Sequence, residues 1–311
     1  MIDRIFHVVA STRDQVASLK FYEDTLGMTI IHGPFVAREG MSEAFAIPDE
    51  PNTQDLGTFY KCSDTETATV LDTNLWMRPR FVGSAYEAVN HTGITRLALK
   101  VRGIDALHAS LSEQGVRFVG PPSTLTLGDQ EVRTCCLYNP DDAVFQLVDT
   151  QEAPDAEPEI ERIFAVCISV SDLSRSLEFY VDVLGLNAVG PPFEVEDGNL
   201  GATFPLSDNG AGALAGAWLR PGTASDNTLI ELVEWKQPKT YGAPVETVYN
   251  VGFPRVAFYV ENIQDVYGEL RSQADFFSPP VITDLSGAKA GYNCFRDPDG
   301  TILQLYEDIR G

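Results

Sequence analysis

Phe179-Tyr180-Val181-Asp182-Val183-Leu184-Gly185 has a counterpart 158 residues earlier in Phe21-Tyr22-Glu23-Asp24-Thr25-Leu26-Gly27. Around this pair the same spacing recurs. Arg4-Ile5-Phe6 returns as Arg162-Ile163-Phe164, Ser18-Leu19 as Ser176-Leu177, Pro34-Phe35 as Pro192-Phe193, and Asn139-Pro140-Asp141 as Asp297-Pro298-Asp299. In mid-copy the spacing grows by one residue, so that Trp76 matches Trp235 and Gly93 matches Gly252. Chance does not hold such a register over most of 150 residues, so the 311-residue chain is a tandem duplication. The copies span residues 1–148 and 161–311. Between them, 149–160 is rich in acids, holds Pro154 and Pro158, and shows no apolar period, which predicts a solvated linker.

Each copy repeats one local grammar twice. Ile5 to Ala10 is a β-rich run. Val16, Leu19, Phe21, Tyr22 and Leu26 then fall at helical spacing from Arg13 to Leu26, with Gly27 as the stop. Ser171-Asp172 opens and Gly185 closes the equivalent helix. Further on come strand Leu97–Val101, helix Ile104–Gln114 before Gly115, strand Thr134–Tyr138, a turn at Asn139-Pro140-Asp141-Asp142 and a last strand, Ala143–Val148. The second copy gives strand Val256–Val260, helix Ile263–Ser272, a turn at Asp297-Pro298-Asp299-Gly300 and strand Thr301–Tyr306. The chain therefore holds four strand–helix–multistrand halves.

Composition narrows the function. With 22 basic and 45 acidic residues the net charge is −23, so polyanions are repelled, and neither nucleic acid nor an anionic membrane surface is an expected partner. The acid-rich surface serves solubility or attracts a cationic ligand; composition leaves both open. No apolar run reaches the length of a membrane span, and the N-terminus does not read as a signal peptide. Five cysteines without a Cys-x-x-Cys pair (Cys62, Cys135, Cys136, Cys167 and Cys294) suit reduced, buried thiols in a cytoplasmic protein. There is no Gly-rich phosphate loop, Gly-x-Ser-x-Gly elbow or His-Glu-x-x-His.

Three stretches carry a resemblance: Phe179-Tyr180-x-x-x-Leu184-Gly185, the preceding Ser169-Val170-Ser171-Asp172, and Phe295-Arg296-Asp297-Pro298-Asp299-Gly300-x-x-x-Gln304-Leu305. Together they resemble the vicinal oxygen chelate superfamily, which includes glyoxalase I, bleomycin- and fosfomycin-resistance proteins and extradiol dioxygenases. The first copy keeps weaker versions. The resemblance implies an α+β fold: four βαβββ halves forming two modules, with curved mixed sheets around ligand cavities. It also implies a divalent metal held by His, Gln or Glu from four strands, two per half.

Carried over residue by residue, those positions fall on His7, Asp72, Arg96 and Gln146 in the first module, and on Ala165, Glu231, Arg255 and Gln304 in the second. Arginine has only donors and Ala165 has no ligating atom, so the pattern departs from the superfamily's, and no metal or other cofactor is expected. Whichever halves pair, each cavity receives one Arg, one Gln and one acid; only the one containing the first half also receives a histidine. Strand alternation puts Arg96 and Ala98, and Arg255, Ala257 and Tyr259, on the cavity face. Two readings of the arginines remain. They form structural ion pairs, Arg96 with Asp72 and Arg255 with Glu231; or they are fixed cations for a carboxylate, enolate or phenolate oxygen.

His7 is the candidate proton-transfer group. His7, Arg96 and Arg255 are the candidate catalytic residues, and Asp72, Gln146, Glu231 and Gln304 the candidate substrate contacts. His32, His91 and His108 have no such support, and Trp76 and Trp235 read as packing residues. The expected activity is a metal-independent lyase or isomerase acting beside a carbonyl or phenolic oxygen. The alternative is a metal-free binding protein of bleomycin-resistance type. An extradiol dioxygenase needs two His and one Glu around iron, which no pairing of halves supplies. The partner is a small molecule, and monomer and homodimer are both compatible with four halves in one chain.

Overall fold

The computed structural model describes residues 1–37, 41–47, 53–127, 130–150, 157–198, 200–208, 211–285 and 288–309. The first half contains β1 (Ile2–Ser11), α1 (Gln15–Leu19), β2 (Thr29–Ala37), α2 (Met41–Ala44), β3 (Gln54–Lys61) and β4 (Val70–Arg78). The second contains β5 (Gly93–Arg102), α3 (Ile104–Glu113), β6 (Ser123–Leu127), β7 (Gln130–Tyr138) and β8 (Val144–Asp149). The third has β9 (Glu159–Ser169), α4 (Leu173–Leu177), β10 (Asn187–Ala188), β11 (Phe193–Asp197), α5 (Leu200–Thr203), β12 (Gly212–Arg220) and β13 (Leu229–Gln237). The fourth has β14 (Arg255–Val260), α6 (Ile263–Leu270), β15 (Asp275–Phe276), β16 (Val281–Leu285), β17 (Ala288–Arg296) and β18 (Ile302–Ile309). This is the α+β architecture expected from the sequence.

The helices start where the chemistry dictates. The Asp14 carboxylate caps α1 by accepting from the N–H groups of Val16 and Ala17, and Asp172 caps α4 through Arg175 N–H. Both helices widen after five residues into a π-helical segment, Lys20–Thr25 and Glu178–Val183, which periodicity alone does not reveal. Gly27 and Gly185 then reverse the chain at φ of +70° and +73°. The expected linker is shorter than 149–160: Asp149 ends β8, and Glu159 and Ile160 already pair with Arg102 and Val101 across β5. Residues 151–156 lie outside the described residues.

The sheets settle how the halves combine. Among the described residues, β1 pairs antiparallel with β14, joining the first half to the fourth in a nine-stranded sheet. β5 pairs antiparallel with β9, joining the second half to the third. Each sheet thus takes one half from each copy. The exchange follows a pseudo-twofold relation: the hydroxyls of Thr69 and Thr228, 159 residues apart, meet at 2.8 Å with Thr69 donating, Thr228 donates on to the Ile163 carbonyl, and the Ile5 carbonyl stands 3.0 Å from Thr69 Oγ1.

One apolar core lies on the helix side of both sheets and contains Leu97, Leu99, Val101, Val256, Phe258 and Val260, the face expected from alternation. Burying such side chains contributes roughly 1.5–3 kcal/mol each. The opposite faces are concave and carry the polar residues considered next.

Candidate functional site

In the sheet shared by the first and fourth halves, His7 on β1, Asp72 on β4, Arg255 on β14 and Gln304 on β18 line one cavity of about 570 Å³. A bulge in β1 helps place them. Ile5 faces Phe258 and His7 faces Ala257, so an extra residue, Phe6, is accommodated and both Phe6 and His7 reach the cavity. Aromatic side chains form much of the wall, with Phe6 stacked on Tyr306 at a centroid distance of 4.0 Å. Phe45, just after α2, covers the arginine, its ring centre 4.6 Å from the Arg255 guanidinium carbon.

Arg255 is buried and held from two sides. Its Nε donates to Gln304 Oε1 at 2.9 Å and one Nη donates to Asn74 Oδ1 at 3.2 Å. Asn74 Nδ2 in turn donates to Asp72 Oδ1 at 2.8 Å. The other Nη of Arg255 and both ring nitrogens of His7 are buried and make no hydrogen bond among the described residues. Burial, helped by the Arg255 charge and only partly offset by the nearby Gln304 amide, pushes the His7 pKa down to about 3. Burial also lifts Asp72 to about 8, with Arg255 opposing, the Asp55 carboxylate reinforcing, and the Asn74 hydrogen bond opposing. At neutral pH the depth of the cavity therefore presents a neutral imidazole, a largely protonated carboxyl and a charged guanidinium with one free N–H edge.

The other sheet holds the matching residues in a different state. Arg96 Nε donates to Gln146 Oε1 at 2.8 Å, and Arg96 Nη2 pairs with Glu231 Oε2 at 2.6 Å. Gln146 passes its own N–H to Thr134 Oγ1 at 3.0 Å. Leu200 of α5, Phe204, Leu206 and Trp235 pack with Ala165 and Cys167 in one apolar cluster on this concave face, and Phe204 covers Arg96 as Phe45 covers Arg255. The remaining Nη of Arg96 is buried without a hydrogen bond among the described residues, as in Arg255, but here the guanidinium charge is paired with a carboxylate under an apolar lid.

The ion pairs expected within each module, Arg96 with Asp72 and Arg255 with Glu231, do not form. Exchange of halves puts Arg96 opposite Glu231 and Arg255 opposite Asp72. Among the described residues only the first couple closes into an ion pair. The remaining histidines are distributed unevenly. His91 stacks on Tyr86 at 4.3 Å, and its Nδ1 meets the Thr92 carbonyl at 2.9 Å, outside the cavity. His108 packs on Phe118 rather than standing fully exposed. His32, which has no support from its sequence position, lines the cavity, and so do Asp55 and Asn74. Asn74 was detectable: it lies two residues from Asp72 on one strand, hence on the same face.

The donor set does not suit a divalent cation. A guanidinium occupies one of the four seats, and Gln304 Oε1 is engaged by it. Among the described residues no group of three or more His, Cys, Asp or Glu is arranged to hold a metal.

Comparison with known proteins agrees with the fold. Glyoxalase I from Zea mays superposes with a TM-score of 0.61 at 18% identity, covering 98% of this chain and 92% of that one. A putative dioxygenase from Bacillus subtilis gives 0.62 at 13% identity, covering 100% and 86%. No curated protein matches the sequence. No helix is long and apolar enough to cross a membrane among the described residues. The description Glyoxalase/Bleomycin resistance protein/Dioxygenase superfamily matches twice, over residues 4–147 and 162–305, and the chain belongs to that superfamily.

Proposed function

We propose that the chain is a small-molecule enzyme of lyase or isomerase type that moves a proton beside a carbonyl or phenolic oxygen without a divalent metal. One observation carries the reading: a buried arginine N–H edge and an unpartnered imidazole share a 570 Å³ cavity walled by aromatic rings. Buried donors of this kind are costly unless a ligand or water satisfies them. Phe6, Phe59, Tyr259 and Tyr306 favour a flat, unsaturated ligand, and the free edge of Arg255 favours an anionic oxygen.

In this proposal His7 takes the proton from the carbon next to the oxygen-bearing carbon. The electron pair moves onto the oxygen held by Arg255, which stabilises the developing charge. Asp72, protonated at neutral pH, returns a proton to the product in the isomerase case. An imidazole with a pKa near 3 is a weak base. An anionic oxygen seated on Arg255 cancels one of the two influences that depress it, so basicity rises once substrate is bound. Arg96, committed to Glu231, serves the fold in this reading.

The test is proton exchange at the carbon beside the carbonyl, followed by NMR in D2O over a panel of aromatic and unsaturated keto acids and phenols. Exchange lost in both His7→Ala and Arg255→Met supports the proposal. The depressed basicity of His7 favours a second reading, sequestration without turnover. Tight binding with no exchange on the whole panel would establish it instead.

A further inference from the structure

The two arginine seats are an internal control, because matched residues of the duplication surround both. Phe45 matches Phe204, Asp72 matches Glu231 and Asn74 matches Val233, at the mid-copy spacing. Where the acid is glutamate and its neighbour valine, the carboxylate reaches the guanidinium directly at 2.6 Å. Where the acid is one methylene shorter and its neighbour is Asn74, the amide stands between them, 3.2 Å from Arg255 and 2.8 Å from Asp72. The orientation of that amide is dictated by chemistry. A guanidinium only donates, so it must face the amide oxygen, and the NH2 is left for the carboxyl.

We infer that Asn74 is a positioning residue: by taking the Nη2 that Glu231 takes on Arg96, it holds the Asp72 carboxyl off the Arg255 guanidinium and so leaves the guanidinium charge unpaired for a ligand oxyanion at the free Nη1. This rests on the reading of Arg255 as the ligand's cation. Val233 has no polar atom, so in the other seat the acid closes on Arg96 Nη2 and compensates its charge, although Arg96 Nη1 stays without a hydrogen bond among the described residues. Within the two seats, the difference at positions 72 against 231 and 74 against 233 separates an arginine whose charge is unpaired from one paired with a carboxylate.

The experiment converts one seat into the other. The variant Asp72→Glu/Asn74→Val places in the open cavity the acid and the apolar neighbour found beside Arg96. Sodium benzoate is the probe, its affinity measured by titration calorimetry with thermal melting as a control. The loss of a charge-assisted hydrogen bond is read as roughly 10- to 100-fold weaker benzoate binding, with an undiminished melting temperature. The variant Asp72→Asn/Asn74→Val supplies the rescue, since a neutral amide cannot neutralise the guanidinium; its affinity is expected to return toward wild type.

Benzoate binding by the first variant as tight as wild type overturns the inference, and so does a loss that the uncharged variant fails to rescue. If wild type itself does not bind benzoate, the oxyanion reading fails. Asn74 is then judged by exchange of the Arg255 guanidinium protons. Protection that rises in Asp72→Glu/Asn74→Val supports the spacer role, and unchanged exchange refutes it.

Discussion

Replacing each cavity acid by its own amide is expected to move stability in opposite directions. Glu231→Gln removes the charge that compensates a buried Arg96, whose side chain is only 2% exposed. Breaking a buried pair from one side costs about 3–5 kcal/mol, because the remaining charge stays out of water. For a chain of this size that is a fall of roughly 10 °C in melting temperature.

Asp72→Asn has the other sign. Burial holds the Asp72 pKa near 8, against 3.8 for an ordinary aspartate. Between those values the unfolded chain has released a proton that the folded chain still binds, so stability falls as pH rises from about 4 to about 8. The penalty grows by at most about 1.4 kcal/mol per pH unit. An amide never ionises and does not suffer it. Chemical denaturation at pH 5.5 and 8.0, both clear of the isoelectric point near 4.4, measures the effect. Asp72→Asn should exceed wild type at both, by a margin larger at pH 8.0 by roughly 1–3 kcal/mol. The reasoning is refuted if Asp72→Asn destabilises as Glu231→Gln does, or if its margin over wild type does not change with pH.

Other consequences are simpler to check. His7→Ala should abolish turnover while leaving ligand affinity within about threefold, because neither ring nitrogen holds the fold through a hydrogen bond; steady-state kinetics and calorimetry on one ligand separate the two. Gly222→Ala should destabilise by more than about 2 kcal/mol, since a Cβ there would stand 1.9 Å from the Asp3 carbonyl oxygen at a φ of +64°. Asp142→Gly should stabilise slightly, by roughly 0.5 kcal/mol in urea unfolding. Asp142 sits at a φ of +68° where the other copy has Gly300, and the ion pair it gives up with Arg117 is exposed.

The duplication, the four halves and the cavity-facing positions were legible because they follow from spacing and alternation. Arg255, Gln304, Asp72 and His7 converge as that logic requires. Which halves meet was not legible, since β1 and β14 are far apart in sequence and nothing local selects one antiparallel edge over another. The ion pairs were therefore assigned to the wrong partners. Phe6 and His7 point the same way only because β1 bulges, and a bulge has no period to detect. Asn74 was passed over because an amide carries no charge to attract notice. Its position is two residues from Asp72, and its counterpart in the other copy is Val233.

The Arg255 guanidinium stands at a position where the superfamily resemblance implies a ligand to a divalent ion. Elemental analysis of the protein purified without chelator or affinity metal tests the metal-free reading most directly. The expected result is far less than one equivalent of any transition metal per chain, with the Arg255→Met variant no richer. One equivalent of iron, manganese, nickel or zinc, lost in His7→Ala, would contradict the account.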